Sequence, residues 1–164
     1  MIETKRCKLL RLQETDFNDV SKLYIDQKVR RFLGGTVDEQ TCKEKFQNIL
    51  KSKDKLFYWI IRKKEDNKLI GLVSLSLHHD GINTEVSYQL LPKWWGYGYA
   101  TEVIKEVITY AFKELNLSKV VAETQIANKY SCKLLNRVGM SLEQTIERFD
   151  EEQGIFSIYN HNHE

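Results

Sequence analysis

The sequence predicts a mixed α/β fold, a mostly antiparallel sheet with helices on both faces. Three observations carry that expectation. Residues 56–91 hold three consecutive runs with strand character, broken by the turn signals Asp66-Asn67 and Asp80-Gly81. From Ala100 onward, Ala100, Val103, Ile104, Val107, Ile108, Ala111, Phe112 and Leu115 fall on one helical face, the strongest helical pattern in the chain. After it, strand, helix and hairpin signals follow in turn, a succession that builds a mixed sheet.

In order, 9–12 reads as a short first strand. Asp16 stands where a helix N-cap belongs, with Phe17, Val20, Leu23 and Tyr24 at helical spacing behind it. Gly34-Gly35 breaks the chain, and 36–50 reads as a second helix with Asp38 and Glu39 near its start. Residues 56–62 are rich in aromatic and β-branched side chains, 68–77 alternate between polar and apolar, and 84–91 form a third run, so an antiparallel meander is expected. Pro92 closes it, and the long helix follows. A strand at 120–126, a helix at 128–138 ended by Gly139, and a hairpin of 142–149 with 154–159 complete the pattern. That gives about seven strands and about four helices.

Composition narrows the function. The chain has 164 residues, 41% hydrophobic and 29% charged, which suits one globular domain over its whole length, 1–164. Twenty-five Lys+Arg against 23 Asp+Glu leave a net charge of +2, too slight a bias for a nucleic-acid-binding surface. No apolar run is long enough to span a bilayer, and the opening MIETKRCKLLRLQETD lacks the apolar stretch of a secretory signal. Cys7, Cys42 and Cys132 are odd in number and widely spaced, as reduced thiols of a cytoplasmic protein would be. His78-His79 read as exposed loop histidines, since a two-histidine metal site lacks further ligands in the local sequence, and the terminal His161-Asn162-His163-Glu164 as frayed polarity. No metal is expected.

The segment that carries chemistry is Leu90-Leu91-Pro92-Lys93-Trp94-Trp95-Gly96-Tyr97-Gly98-Tyr99-Ala100-Thr101-Glu102. It runs strand, glycine loop, long helix. Gly96 and Gly98 permit sharp turns, and the N–H groups that follow sit at the positive end of the helix, where a pyrophosphate is favoured. A phosphate-binding P-loop is excluded because no Gly-Lys-Ser/Thr occurs. A dinucleotide fold would want a glycine where Thr101 stands, although Glu123 sits near the expected acidic position. The third reading is a coenzyme A site.

The stretch from Pro92 to Glu102, joined to Asn128-x-x-Ser131 and Leu134-Leu135-x-x-Val138-Gly139-Met140, closely resembles the GNAT superfamily of acyl-CoA N-acyltransferases. It is most similar to the branch that includes the ribosomal-protein N-terminal acetyltransferases, and the opening Thr4-Lys5-Arg6, Leu10-Arg11 and Asp16 extends the resemblance over nearly the whole chain. Trp95 departs from the Gln/Arg of the general superfamily pattern.

The resemblance implies an acetyl-CoA-dependent N-acetyltransferase with a sheet that splays between 84–91 and 120–126 to admit the pantetheine arm. The backbone of Trp95, Gly96, Tyr97, Gly98, Tyr99, Ala100 and Thr101 would then cradle the pyrophosphate, and main-chain groups of Leu90 and Leu91 would pair with pantetheine amides. Asn128 is implied as a pantetheine contact, or as the N-cap of the following helix; Ser131 as hydrogen-bond donor to the departing thiolate, with Tyr130 as a less favoured alternative that more often packs. Lys129, Lys133 and Arg137 are within the region that would meet a 3′-phosphate. Glu85 is implied as the base that takes the amine proton, directly or through water, and the N–H after Tyr88 or Gln89 as the group that polarises the thioester carbonyl. Cys132 reads as a small core residue, Trp94 and Trp95 as packing, and 30–35 as a lid over the acceptor. The acceptor is an amine, a protein N-terminus such as a ribosomal protein's or a small amine, taken up by a monomer or homodimer. The rival is a non-catalytic acyl-CoA-binding or sensing module.

Overall fold

The computed structural model describes residues 1–53 and 55–161, so the expectation for 162–164 lies outside the described residues. The strands are Ile2–Glu3 (β1), Cys7–Arg11 (β2), Phe57–Lys63 (β3), Leu69–Leu77 (β4), Thr84–Leu90 (β5), Lys119–Gln125 (β6), Ser141–Arg148 (β7) and Glu151–Tyr159 (β8). The α-helices are Phe17–Tyr24 (α1), Gln27–Arg30 (α2), Glu39–Lys51 (α3), Tyr99–Lys113 (α4) and Lys129–Arg137 (α5). All eight strands belong to one sheet in the order β1-β2-β3-β4-β5-β6-β8-β7. Every pairing is antiparallel except β5 with β6. The sequence pattern misses β1, whose two residues are too few to show a period.

Side-chain alternation divides the core into two layers. Ile61, Val73, Val86, Leu90, Val120 and Ala122 pack on one face against Val103, Ile104 and Val107 of α4 and Leu134 and Leu135 of α5. Ile60 and Leu72, with Leu12, pack on the opposite face against Val20 and Leu23 of α1 and Cys42, Phe46 and Ile49 of α3. The amphipathic periods read from the sequence therefore do what they must: each helix buries its apolar stripe on one side of the sheet.

Local chemistry sets the helix starts. The Asp38 carboxylate accepts from the Thr41 N–H at 2.7 Å, and Asp26 accepts from Lys28 and Val29 to begin α2, a short helix not evident in the sequence. Asp16 takes the N-cap position of α1 as expected, but its side chain makes no cap bond to that helix. Its carboxylate instead accepts from the Gln13 N–H at 2.9 Å, and Arg62 reaches both Asp16 and Asp19.

One feature of the topology places the site. The parallel β5–β6 ladder holds only Thr84 with Val120 and Glu85 with Val121, after which the strands part. The neighbouring ladders fix which main-chain groups face that gap. The His78 N–H bonds Asn83 and the Leu91 N–H bonds Ile70, so the odd residues of β5 turn their backbone toward β4 and the even ones toward β6. On β6, the bonds Asn160 to Ser118 and Ile126 to Glu152 turn the even residues toward β8 and the odd ones toward the gap.

Candidate active site

The mouth of the gap is the glycine loop. Gly96 and Gly98 adopt φ of +83° and +80°, conformations that a side chain would strain, and no atom stands within 4 Å of where a Gly96 side chain would begin. Gly98 is itself the N-cap of α4 and offers no side chain to the first turn, so the N–H groups of Tyr99, Ala100 and Thr101 are left for a ligand at the positive helix end. The loop is held from behind. The Glu102 carboxylate accepts from the Thr4 hydroxyl, from the Arg6 main-chain N–H at 2.8 Å and from Arg6 Nε at 2.7 Å. Arg6 also stacks over Tyr99, 4.0 Å from the ring centre, and Trp94 meets Tyr99 edge-on. Tyr99 is thus buried, and its backbone rather than its ring is what it can offer a ligand.

Along the gap the structure separates residues that the sequence groups together. Both main-chain groups of Leu91 are engaged, its N–H with Ile70 and its carbonyl with Trp94, so the expected role of Leu91 in pairing with pantetheine is not available. The Leu90 carbonyl accepts from the Trp95 indole at 2.9 Å. Trp95 is therefore more than packing: it bridges the loop to the strand end while remaining exposed. What β5 turns toward the gap beyond its last rung is the main chain of Tyr88 and the N–H of Leu90. The same alternation directs the Gln89 N–H at β4, so of the two N–H groups expected to polarise the carbonyl only that of Leu90 faces the gap.

The two faces carry different chemistry. On the α4–α5 face, Asn128 accepts from the Ser131 N–H at 3.2 Å and starts α5, so it acts as a helix cap. Ser131 is buried, and its hydroxyl meets the phenol of Tyr88. Burial pushes that phenol up to about 12, so Tyr88 keeps its proton and can donate it to Ser131. Tyr130, expected to pack, points outward and is 53% exposed; the phenol beside Ser131 comes from β5 instead. The clue was present in the spacing, because Tyr88 lies between Val86 and Leu90 on the core-facing side of the strand. Lys129, Lys133 and Arg137 are exposed, and the Cys132 thiol is pushed up by burial, away from nucleophilic character.

On the opposite face stand Glu85 and Glu123. Burial raises the Glu85 carboxyl above its ordinary value and the Glu123 carboxylate adds to this, while His78, Arg148 and a hydrogen bond from the Glu123 main chain pull it back. Glu123 is almost enclosed. Its Oε1 lies 2.8 Å from His78 Nε2 and 2.9 Å from His79 Nε2, and its Oε2 accepts from Arg148 at 3.0 Å. Burial alone would raise its carboxyl, but the bonds from His78 and Arg148 prevail and hold it low. His78 is therefore not the exposed loop histidine expected; it is 4% exposed, and the partner that buries it comes from a strand 45 residues away. Above this face, Gln125 Nε2 donates to the Phe32 carbonyl at 3.2 Å, and Arg30 fastens the turn internally through Gly35 and Leu33.

Comparison with known proteins decides among the readings left open by the loop. Residues 6–141 match the family model described as an acetyltransferase (GNAT) domain. The chain belongs to the GNAT acetyltransferases. The uncharacterized N-acetyltransferase YoaA of Bacillus subtilis is 24% identical over 161 residues, spanning 94% of this chain and 90% of its own length. Among solved structures, spermidine N-acetyltransferase from Vibrio cholerae in complex with CoA and spermine superposes with a TM-score of 0.82 at 19% identity, covering 94% and 95% of the two chains. Ribosomal-protein-S5-alanine acetyltransferase from Vibrio fischeri gives 0.79 at 18%, covering 99% and 97%. At such identities these structures establish the fold. The dinucleotide reading is set aside. This GNAT chain is an acyltransferase with acetyl-CoA as co-substrate, and the uncapped helix start, open glycine loop and unpaired strand edge fit that carrier.

Proposed function

We propose that the chain transfers the acetyl group of acetyl-CoA to a primary amine by direct attack within a ternary complex. Acetyl-CoA supplies the activated acyl group as a thioester. The observation that carries the reading is the partition of the site by the sheet: Glu85 lies on one face, the Tyr88–Ser131 pair on the other, and the β5–β6 gap joins them.

Each group then has one task. The 96–101 loop binds the pyrophosphate, and the Leu90 N–H polarises the acyl carbonyl as negative charge develops on its oxygen. The neutral amine attacks with its lone pair, and Glu85 takes, directly or through a water, the proton that nitrogen must lose as the new C–N bond forms. As the C–S bond breaks, Ser131 donates to the thiolate and is itself supported by the Tyr88 hydroxyl. No acyl-enzyme is required.

For the acceptor, the lid favours an α-amine over a polyamine. Lys28, Arg30 and Arg31 are basic, and the acidic Asp26 is occupied as the cap of α2. Across the gap, Glu123 is already countered by Arg148. A polycation would meet the positive charge of Lys28, Arg30 and Arg31 on the lid, whereas a peptide N-terminus brings a single amine. The similarity to a ribosomal-protein acetyltransferase structure is consistent with such a peptide.

Glu85→Gln tests the mechanism by thiol release over a panel of peptides and small amines. Turnover should fall by on the order of 10²–10⁴ while acetyl-CoA affinity holds. Unchanged turnover would remove Glu85 from the role of base. Wild-type protein that binds acetyl-CoA but turns over no amine would favour the sensing module.

A further inference from the structure

None of His78, His79 and Glu123 touches a reacting atom in the acyl transfer, although the Glu123 charge acts on Glu85. Three donor atoms converge there: His78 Nε2, His79 Nε2 and Glu123 Oε1 all lie within 4.8 Å of one another. The local sequence hides the third ligand, because Glu123 reaches the β4–β5 hairpin only through the parallel contact of β5 with β6. We propose that these three side chains form a binding site for a borderline-soft divalent cation such as Zn²⁺, held at the edge of the acceptor face.

The surroundings support ligation rather than a simple hydrogen-bond cluster. Two imidazole nitrogens with one carboxylate oxygen, and room for solvent beside the partly exposed His79, match a three-ligand zinc set with an open position. The two oxygens of Glu123 divide their work. Oε2 is held by Arg148, which fixes the carboxylate and leaves Oε1 to bind through one atom. His78 is oriented as well: the Asp80 N–H approaches Nδ1 at 3.3 Å, and Asp80 Oδ2 lies 3.3 Å from the same nitrogen. When Nε2 binds a cation, the ring hydrogen moves to Nδ1, where Asp80 Oδ2 accepts it.

Geometry asks for an adjustment at each donor pair, including the two imidazole nitrogens, which lie within 4.8 Å of each other. Donors about 2.0–2.1 Å from a tetrahedral ion stand about 3.3 Å apart, so the present 2.8 and 2.9 Å contacts to Oε1 must open by about half an ångström. His79 sits on a hairpin and can move that far. The N₂O set selects Zn²⁺, Ni²⁺ or Cu²⁺ over Mg²⁺ and Ca²⁺, which prefer oxygen alone. The Arg148 charge opposes the cation, so affinity should fall in the micromolar range rather than that of a closed structural site.

Calorimetric titration of chelator-treated, tag-free protein with ZnCl₂ tests this directly. One equivalent should bind and raise Tm, MgCl₂ should do neither, and Co²⁺ should give visible d–d bands without a thiolate charge-transfer band. His79→Ala, at an exposed position, should weaken Zn²⁺ binding more than tenfold, and Asp80→Asn, which can keep the turn's main-chain hydrogen bonds through its carbonyl oxygen, by about tenfold. A chain with His161 and His163 replaced by Asn should bind as the wild type does. No stoichiometric binding, unchanged binding in His79→Ala, loss with the terminal histidines, or a thiolate band would each overturn the site. The cobalt spectrum of the wild type keeps the test decisive if a variant folds poorly.

Discussion

Glu85 shows how one residue's place in a ladder gives it a chemical role. It is the last residue of β5 to pair with β6, so it stands where the sheet begins to open and where water is partly excluded. Burial is the main cause that raises its carboxyl above the ordinary value, and the Glu123 carboxylate adds to it. A base must be deprotonated, so kcat/KM should fall as pH drops through that raised value. The limb that Glu85 contributes should therefore lie above the ordinary glutamate value and be missing in Glu85→Gln, while the limb from protonation of the amine itself remains, as a pH profile on a peptide amine would show. An acid limb at an ordinary carboxylate pKa would mean that Glu85 is more solvated during turnover than the fold implies. The sequence pointed to Glu85 through its resemblance to a family position; for Tyr88 its spacing gave only the core-facing side and not the partner, and for His78 it gave no sign of burial. Both depend on partners, Ser131 and Glu123, that lie over 40 residues away and come near only when β5 and β6 align.

At the scale of elements, the long α4 helix and the meander were legible because each repeats a period over many residues. The two-residue β1 and four-residue α2 were not, because neither is long enough to show one. The loop before α4 was legible as a phosphate cradle, yet its brace was hidden: Thr4 and Arg6 reach Glu102 from the other end of the chain. That brace gives a linkage prediction. Burial would raise the Glu102 carboxyl, but the Thr4 and Arg6 bonds outweigh it and set the folded value below the unfolded one. The bonds thus add stability above the ordinary carboxylate value, and this is lost as pH falls through the depressed folded value. Glu102→Gln should therefore be less stable than wild type at pH 7 by urea denaturation, with the difference narrowing in acid. Gly98→Ala acts on the same loop by a different route. Its φ of +80° is unfavourable for alanine by about 1 kcal/mol or more, so the cradle should shift and acetyl-CoA affinity should drop by several-fold in calorimetry.

At the scale of the molecule, the sheet is both core and wall. Two apolar layers hold it rigid from β2 to β5, while the β5–β6 pair is left open beyond two rungs, a gap whose main-chain groups are satisfied by water or by a ligand. Hydrogen exchange can read that arrangement residue by residue. In the free protein, the amides of Gln89 and Leu91 point at β4 and should exchange slowly, whereas those of Tyr88 and Leu90 point into the gap and should exchange fast. Saturating acetyl-CoA should slow Tyr88 and Leu90 and change Gln89 and Leu91 little, giving an alternation of protection with a period of two along one strand. Global stabilisation by ligand would slow all four together, and binding at the loop alone would slow none of them. Only an arm lying along the open edge of β5 produces the alternating pattern, so its absence in the acetyl-CoA complex would mean that the carrier does not pass between the strands.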